Sequence, residues 1–277
     1  MKRKLILKKQ VLISLMLLFI SLIIFSGFKI ITWYLDSKDV QKSLENITEK
    51  TKVEEVEDNE NTIVVGENID IPKENPYWDY IKMKLINVDF KALKQTNPDI
   101  VGWLEVKGTN INYPFVQTSN NTYYLERNIK KEHNSAGWVF LDYRNNIQDF
   151  DKNTILYAHG RVDGTMFGSL KNIFKTSWPQ NISNHVIKLS TEYENTLWQV
   201  FSIYEIPTTS DYLTTEFKSN SEFLSFITML QKRSTYQFAA VLNENDKILT
   251  LSTCSANNGR VVLHAKLIKK EIRNGNN

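Results

Sequence analysis

The only cysteine of this chain, Cys254, ends an apolar, β-branched stretch, and Arg260 follows it after a short run of turn-forming residues. Residues 247–268 have the pattern of a strand, a tight turn with Asn and Gly at 257–259, and a returning strand. A hairpin of this kind brings Cys254 and Arg260 back beside each other. Because a thiol reacts as the thiolate, and a nearby positive charge favours the thiolate, the pair predicts a cysteine nucleophile.

A cysteine nucleophile also needs a proton-transfer partner, and His159 is the best placed of the four histidines. It directly follows the apolar run 154–158 and precedes a glycine, which predicts a strand end that opens into a loop. Buried strands commonly present functional side chains at such ends. We therefore expect His159 to lie near Cys254.

The other three histidines are weaker choices for this role. His133 and His185 lie in polar segments and are expected at the surface. His264 lies within the last predicted strand, where alternation places it on the same face as Arg260. It is therefore the second choice after His159.

The sequence predicts neither a metal site nor a cofactor. It contains no HExxH, no CxxC and no histidine pair at ligand spacing. It also lacks a GxxxxGK[ST] phosphate loop and a GxSxG elbow. Asp142, Asp151 and Asp163 are scattered through predicted loops, where we expect them to solvate turns.

The composition favours one globular domain and gives no case for nucleic-acid binding. Of the 277 residues, 42% are apolar, which is ample for a single core. The formal net charge is only +3, and the basic residues form no stripe interleaved with aromatic ones. A single cysteine cannot form an internal disulfide, so outside the cell it is either a small buried hydrophobe or a working thiol.

The N-terminal segment has the pattern of an uncleaved membrane anchor. Basic residues cluster within 1–10, residues 11–28 are almost purely apolar, and Trp33 and Tyr34 follow. Such a run can cross a hydrocarbon core of about 30 Å as a helix, with its basic end in the cytoplasm. A cleaved signal peptide is the competing interpretation, but the run is long and no small-x-small site follows it. We expect a cytoplasmic tail over 1–10, a transmembrane anchor over 11–35 and a body outside the cytoplasm.

Residues 36–75 are polar and acidic, which predicts a mobile linker rather than a core element. The folded domain is expected over 76–277. It begins with a helical spacing of apolar residues over 77–87, and a second short helix is predicted over 88–94.

From residue 100 onward the sequence changes to short β-branched runs separated by turn residues, which predicts a barrel or a sandwich. Two helices interrupt the strands, one near 166–174 and one over 221–232 with Ser221 as its N-cap. Strands are predicted over 101–106, 111–115, 137–141, 154–158, 186–190, 195–206, 238–241, 248–254 and 260–268.

Several segments resemble the sortases, the cysteine transpeptidases of Gram-positive cell surfaces. The motif TLSTC at 250–254, followed by an arginine that opens the next strand, resembles the cysteine signature of that family. Residues 155–170, ILYAHGRVDGTMFGSL, resemble its histidine segment, and more narrowly the class B form with DGTMFG after the histidine. Segments at 103–117 and 137–145 are also similar to class B, and the resemblance covers about residues 76–270.

The resemblance implies a mainly β fold, a closed eight-stranded barrel with N-terminal helices and a long helix before the seventh strand. It also implies that Cys254 attacks a carbonyl carbon in the C-terminal sorting signal of a secreted protein. His159 would protonate the leaving amine, and Arg260 would hold the substrate and stabilise the oxyanion.

The resemblance further implies the partners of the reaction. A thioester on the cysteine would be resolved by an amine of a cell-wall precursor, and the N-terminal helix would hold the enzyme in the cell membrane. Ser252, and more weakly Tyr157 and Thr253, are expected to contact the substrate. No cofactor and no nucleic acid are implied.

Two other functions stay open from the residues themselves. A secreted cysteine protease or peptidoglycan hydrolase would use the same pair, although such enzymes usually place the cysteine at a helix N-terminus with the histidine downstream. A non-catalytic surface barrel that binds peptides would leave Cys254 buried and inert. Here the cysteine ends a predicted strand and His159 lies upstream of it, which disfavours the protease and the hydrolase.

Overall fold

A computed structural model describes residues 2–66, 70–254 and 259–273; for residues 2–7 and for Cys254 it describes the backbone alone. The part described is mainly β. The helices are α1 (Lys2–Lys50), α2 (Tyr77–Tyr80), α3 (Phe90–Thr96), α4 (Ser177–Gln180) and α5 (Asn220–Arg233). The strands are β1 (Val53–Val56), β2 (Thr62–Val64), β3 (Leu85–Val88), β4 (Ile100–Val106), β5 (Asn112–Val116), β6 (Phe140–Leu141), β7 (Asn153–Ala158), β8 (Val186–Thr191), β9 (Glu194–Pro207), β10 (Ile248–Cys254) and β11 (Gly259–Ile272).

Eight of these strands form a closed β-barrel. The order around the barrel is β10, β7, β6, β5, β4, β8, β9 and β11, and β11 pairs back with β10. The β10–β7 and β5–β6 pairs are parallel, and the other pairs around the barrel are antiparallel. β2 adds a short edge strand beside β11. The predicted eight-stranded barrel is confirmed.

Alternation along the strands divides the side chains between the barrel interior and its outer face. Leu249 and Leu251 of β10 belong to the interior core, together with Leu156 and Ala158 of β7. The outer face of β9, β10 and β11 is also buried, because α5 covers it. The side chains that meet there are Phe201, Tyr204, Tyr212, Phe223, Phe226, Ile227, Leu230, Ala240, Ile248 and Val262.

α5 precedes the seventh strand of the barrel, as predicted, and presents one apolar stripe to that outer face. Its N-cap is Ser219, whose hydroxyl accepts a hydrogen bond from the Glu222 amide at 3.2 Å. The prediction of Ser221 as the cap is wrong, because Ser221 already lies inside the helix. The serine in the extended conformation that an N-cap requires is Ser219.

Residues 36–75 contain helix and strands rather than the predicted mobile linker. α1 continues to Lys50, and its residues Val40 and Ile47 are buried against the barrel core. β1 then pairs with β3, and β2 pairs with β11. The apolar positions that carry these contacts are few and lie among acidic residues, so composition favoured a spacer. The folded unit therefore begins before residue 76.

The two helices predicted over 77–94 are only partly present. α2 is shorter than the helix predicted over 77–87, α3 begins two residues later than the helix predicted over 88–94, and β3 lies between them. The backbone of β3 pairs with β1, a partner that the local spacing of apolar residues does not reveal. Residues 238–241, predicted as a strand, are irregular, although Phe238 and Ala240 are buried.

Within the residues described, α1 is the one helix that is long and apolar enough to cross a membrane. The large apolar side chains of its N-terminal part, from Val11 to Leu35, are exposed rather than packed into the protein. The same helix is therefore apolar and exposed in its N-terminal part and packed on the barrel in its C-terminal part.

Candidate active site

β7 and β10 are neighbouring parallel strands, and their C-terminal ends bring His159 and Cys254 together. Ala158, the last residue of β7, pairs with Thr253 of β10. His159 and Cys254 each follow this pair by one residue, and neighbouring strands lie only about 4.8 Å apart. The backbones of the two residues are therefore adjacent, although they are far apart in the sequence.

Arg260 lies opposite Cys254 across the β10–β11 hairpin, because the two residues are register partners. Opposed residues of antiparallel strands have Cα atoms about 4.5–5.5 Å apart. The side chain of Arg260 is half-buried, and its Nη1 donates to the carbonyl oxygen of Gly259 at 2.9 Å. A fixed positive charge thus stands beside the end of β10. The turn residues 255–258 lie outside the described part of the chain.

The imidazole of His159 is held by the segment that precedes β6. Its Nε2 lies 2.7 Å from the carbonyl oxygen of Leu125. Because a carbonyl oxygen only accepts, Nε2 carries the hydrogen of this bond, which sets the tautomer of the neutral ring. Gly137 permits the close packing: its φ is +61°, and a Cβ there would lie 3.1 Å from His159 Cδ2 and 2.6 Å from the Tyr124 carbonyl oxygen. A side chain at 137 would therefore push against the ring and its support.

The loop that follows His159 closes back on it. The amide of Phe167 donates to the carbonyl oxygen of His159 at 3.1 Å. Gly160 and Met166 form an isolated antiparallel bridge at the base of the same loop. His159 is thus fixed both through its ring and through its backbone.

The three residues predicted to contact substrate differ in exposure. Ser252 shares the face of Cys254 but is only 3% exposed, and its hydroxyl lies 2.8 Å from that of Tyr212. Thr253 lies on the opposite face, toward the barrel interior, and is also buried. Tyr157 is the register partner of Ser252 and is half-buried. Of the three, Tyr157 keeps the most surface beside His159.

A buried carboxylate fixes Tyr157. The tyrosine hydroxyl donates to Asp142 Oδ2 at 2.9 Å, and the Arg144 guanidinium donates to both oxygens of Asp142 at 2.9 and 2.8 Å. Burial opposes ionisation of Asp142, but the bonds from Arg144 and Tyr157 outweigh it and lower its pKa. Burial, together with this carboxylate, raises the pKa of Tyr157. The prediction that Asp142 solvates a turn is wrong, because it is a buried anion that supports the site.

His264 lies away from this pair. It is fully buried, with Nε2 2.8 Å from the Tyr204 hydroxyl and Nδ1 2.9 Å from Thr250 Oγ1. Thr250 is its register partner, about 13 Å along β10 from Cys254. Burial, with a smaller contribution from the charge of Arg233, lowers the pKa of His264 to about 3. The ring is therefore neutral and belongs to the packing under α5.

His185 is buried, so the prediction that it lies at the surface is wrong. Its Nε2 lies 2.8 Å from the Pro179 carbonyl oxygen and its Nδ1 lies 3.1 Å from the Tyr80 hydroxyl. Burial lowers its pKa. His133 is exposed, as predicted. Among the described residues, no group of three or more His, Cys, Asp and Glu side chains could hold a metal ion.

Three residues that shape the site are not predicted from the sequence: Leu125, Gly137 and Tyr212. Leu125 acts through its backbone carbonyl, for which no side-chain signal exists. Gly137 precedes an apolar strand, and a glycine at that point signals a left-handed or closely packed backbone. Tyr212 lies in a polar stretch whose contact with Ser252 arises only from the tertiary fold.

A family model described as Sortase domain matches residues 104–268. The chain is 29% identical over 265 residues to Sortase B of Staphylococcus aureus, covering 94% of this chain and 98% of the relative. The crystal structure of sortase B from Bacillus anthracis in complex with AAEK1 is 36% identical, with a TM-score of 0.66, covering 85% of this chain and 99% of that one. A Staphylococcus aureus sortase B–substrate complex is 35% identical, with a TM-score of 0.61, covering 65% of this chain and 84% of that one.

Proposed function

Because this chain belongs to class B of the sortase family, we propose that it is a membrane-anchored cysteine transpeptidase. The proposed reaction cleaves the C-terminal sorting signal of a secreted protein and joins the new carboxyl end to an amine of a cell-wall precursor. The observation that carries the proposal is the convergence of Cys254, His159 and Arg260 at the end of β10.

In the first half-reaction, the thiolate of Cys254 bonds to the carbonyl carbon of the scissile amide, and the carbonyl becomes a tetrahedral oxyanion. Collapse of this intermediate breaks the C–N bond and leaves the acyl group on sulfur as a thioester. The departing amine takes a proton from the imidazolium of His159. Because Nε2 is bonded to the Leu125 carbonyl, this proton leaves from Nδ1.

In the second half-reaction, the amine of the cell-wall precursor attacks the thioester carbon. Its proton passes to the neutral imidazole of His159, the C–S bond breaks, and the thiolate of Cys254 is regenerated. The net change is the exchange of one amide for another. A thioester suits this outcome, because it reacts readily with amines while a partly dry groove limits hydrolysis.

Arg260 supplies fixed positive charge for both half-reactions. Its place opposite Cys254 in the hairpin puts a guanidinium beside the carbon that becomes tetrahedral. A preorganised charge of this kind stabilises an oxyanion without rearrangement during the reaction. The same charge favours the thiolate over the thiol in the resting enzyme.

The groove residues have supporting roles in this proposal. Tyr157, held by Asp142, lines the floor beside His159. Ser252 acts through its hydrogen bond to Tyr212, and Thr253 contributes its backbone to the strand that ends at Cys254.

α1 is the proposed anchor. With residues 1–10 in the cytoplasm and residues 11–35 in the bilayer, the barrel lies outside the cell membrane. Confinement to the membrane plane raises the effective concentration of enzyme toward substrates that emerge in the same plane.

The proposal is tested on the full-length chain in detergent micelles, because a fragment from residue 76 would lose β1 and β2. Peptides of LPxTG-like and NPxTx-like sequence are supplied with triglycine, and the products are identified by mass spectrometry. We expect cleaved peptide joined to triglycine with the wild type, and none with Cys254→Ala. Cleavage to the free acid alone would make the protein a hydrolase, and full turnover by Cys254→Ala would overturn the proposal.

A further inference from the structure

A short piece of α1 lies against both loops that hold His159. We call residues 33–40 the docking turn. The first loop, residues 125–137, contacts the imidazole, and the second, residues 160–167, follows His159 and closes on its backbone. The docking turn therefore touches both neighbours of the histidine that the proposed function makes catalytic.

Two aspartates of the docking turn hold the first loop. Asp39 Oδ2 accepts from the side-chain amides of Asn128 at 2.8 Å and Asn134 at 2.9 Å. Asp36 Oδ2 accepts from the backbone amide of Ser135 at 3.0 Å and from its hydroxyl. These bonds to a carboxylate are of the stronger, charge-assisted kind.

Asn134 connects Asp39 to the groups that contact the imidazole of His159. Its backbone amide donates to the Glu126 carbonyl oxygen at 3.0 Å, next to Leu125, and its carbonyl oxygen accepts from the Gly137 amide at 3.0 Å. A displacement of Asn134 therefore moves both the carbonyl that bonds His159 Nε2 and the glycine that packs on the ring.

Ser37 holds the second loop. Its hydroxyl donates to Asp163 Oδ2 at 2.7 Å and accepts from Arg161 Nη2 at 2.5 Å. Asp163 also accepts from the amide of Thr165 at 3.0 Å, and it pairs with Arg161 at 3.0 Å. Arg161 is only 8% exposed, and its guanidinium lies over the ring of Trp33, 5.6 Å from the ring centroid.

Asp163 stays ionised in this partly buried setting. Burial opposes ionisation of Asp163, but the bonds from Arg161, Thr165 and Ser37 outweigh it and hold its pKa well below the ordinary value. The expectation that Asp163 merely solvates a turn is therefore wrong. Loss of the Ser37 hydroxyl would remove a buried hydrogen-bond partner from both Arg161 and Asp163.

We propose that Ser37 and Asp39 are positioning residues for catalysis. Through residues 125–137 and 160–167 they hold the imidazole of His159 where it serves Cys254, and neither of them touches substrate. The inference rests on the proposed transpeptidase function. Because a catalytic group that moves by about 1 Å can cost up to about 100-fold in rate, small losses of contact have large effects on turnover.

The test uses Ser37→Ala and Asp39→Ala in the full-length chain, with steady-state turnover of a sorting-signal peptide and triglycine. We expect kcat to fall about tenfold in each variant while KM stays within about twofold, because positioning acts on the chemical step. Ser37→Thr, which keeps a hydroxyl, should recover most of the rate. Gln41→Ala, on the exposed side of the same helix, is the matched control and should leave kcat unchanged.

The thermal midpoint of each variant separates positioning from folding. A lowered midpoint with unchanged kcat per folded enzyme would show that these contacts are structural only, and the inference would fail. If Asp39→Ala does not fold, the inference is tested by the kcat of Ser37→Ala and its recovery in Ser37→Thr. Absence of turnover in the wild type would count against the proposed function, whereas an active wild type with equally active variants would count against this inference alone.

Discussion

The hydroxyl of Tyr212 lies 2.8 Å from the hydroxyl of Ser252, two residues before Cys254 on the same strand face. This bond joins the segment between β9 and α5 to the strand that ends at Cys254.

Replacement of Tyr212 by Phe removes this bond and leaves a buried serine hydroxyl with one partner fewer. We expect the free energy of unfolding to fall by about 1–3 kcal/mol, the usual cost of a buried polar group that loses its partner. Urea unfolding of Tyr212→Phe, Ser252→Ala and the double variant forms a double-mutant cycle. If the loss of unfolding free energy in the double variant equals the sum of the losses in the two single variants, the two hydroxyls do not interact.

Replacement of Arg260 by Lys exchanges a planar guanidinium with several N–H donors for a compact ammonium group of the same charge. We expect turnover of a sorting-signal peptide to fall at least tenfold with little change in thermal midpoint, because oxyanion stabilisation depends on donor geometry. Arg273→Lys is the matched control: Arg273 follows the far end of β11 and donates to the carbonyl oxygens of Val88 and Thr191. Near-normal turnover by Arg260→Lys would refute the role given to this guanidinium.

Replacement of Gly137 by Ala places a methyl group 3.1 Å from His159 Cδ2 and 2.6 Å from a backbone oxygen, at a φ of +61°. We expect loss of both stability and turnover, since neither the strained backbone nor the imidazole can stay in place. Gly108→Ala is a matched control, because it has a φ of +72° and a clash at 2.7 Å with Trp178, away from the site. Its stability should fall similarly while turnover per folded enzyme is retained; equal loss of turnover in both would argue that Gly137 is merely structural.

His264 predicts a pH dependence of stability. Its pKa is about 3 in the folded protein against an ordinary value of 6.5. Between pH 3 and pH 6.5 this histidine is protonated in the unfolded chain but neutral in the folded protein. The free energy of unfolding therefore falls as the pH falls below 6.5. At pH 5, which is 1.5 units below the ordinary value, the loss is about 2 kcal/mol at 1.36 kcal/mol per unit.

His264→Gln removes the titrating ring while keeping hydrogen-bonding groups for Tyr204 and Thr250. Chemical unfolding at pH 7 and pH 5 measures the change in both proteins. We expect a smaller loss between these pH values in the variant than in the wild type. His185, whose pKa is also lowered, contributes to both proteins alike, so identical losses would mean that His264 is not the buried neutral ring described here.

The strands, and the meeting of their ends at Cys254, His159 and Arg260, could be predicted because the signals are local. β7, β10 and β11 contribute to the barrel core, and α5 also covers the outer face of β10 and β11, so these segments appear in the sequence as nearly continuous apolar and β-branched runs. Cys254, His159 and Arg260 stand at the ends of those runs, where residue type and position coincide.

The supports of the site could not be predicted, because they are contacts between distant segments. Asp36, Ser37 and Asp39 have the character of solvated helix residues, and their partners lie about 90 to 130 positions away. His185 resembles a surface residue until α4 and Tyr80 cover it. A periodic pattern reports which face of an element is apolar and does not report which hydrogen bonds cross between elements.

α1 runs without a break for 49 residues, about 74 Å at the rise of an α-helix. Its contacts with the histidine loops at Ser37 and Asp39 lie within about one turn of Leu35, about 3–6 Å further along the axis. With α1 as the proposed anchor, the barrel has no flexible tether on which to move outward, and the proposed reaction is confined to a thin layer next to the lipid headgroups. We therefore expect the enzyme in its membrane to favour substrates that are themselves still attached to the bilayer.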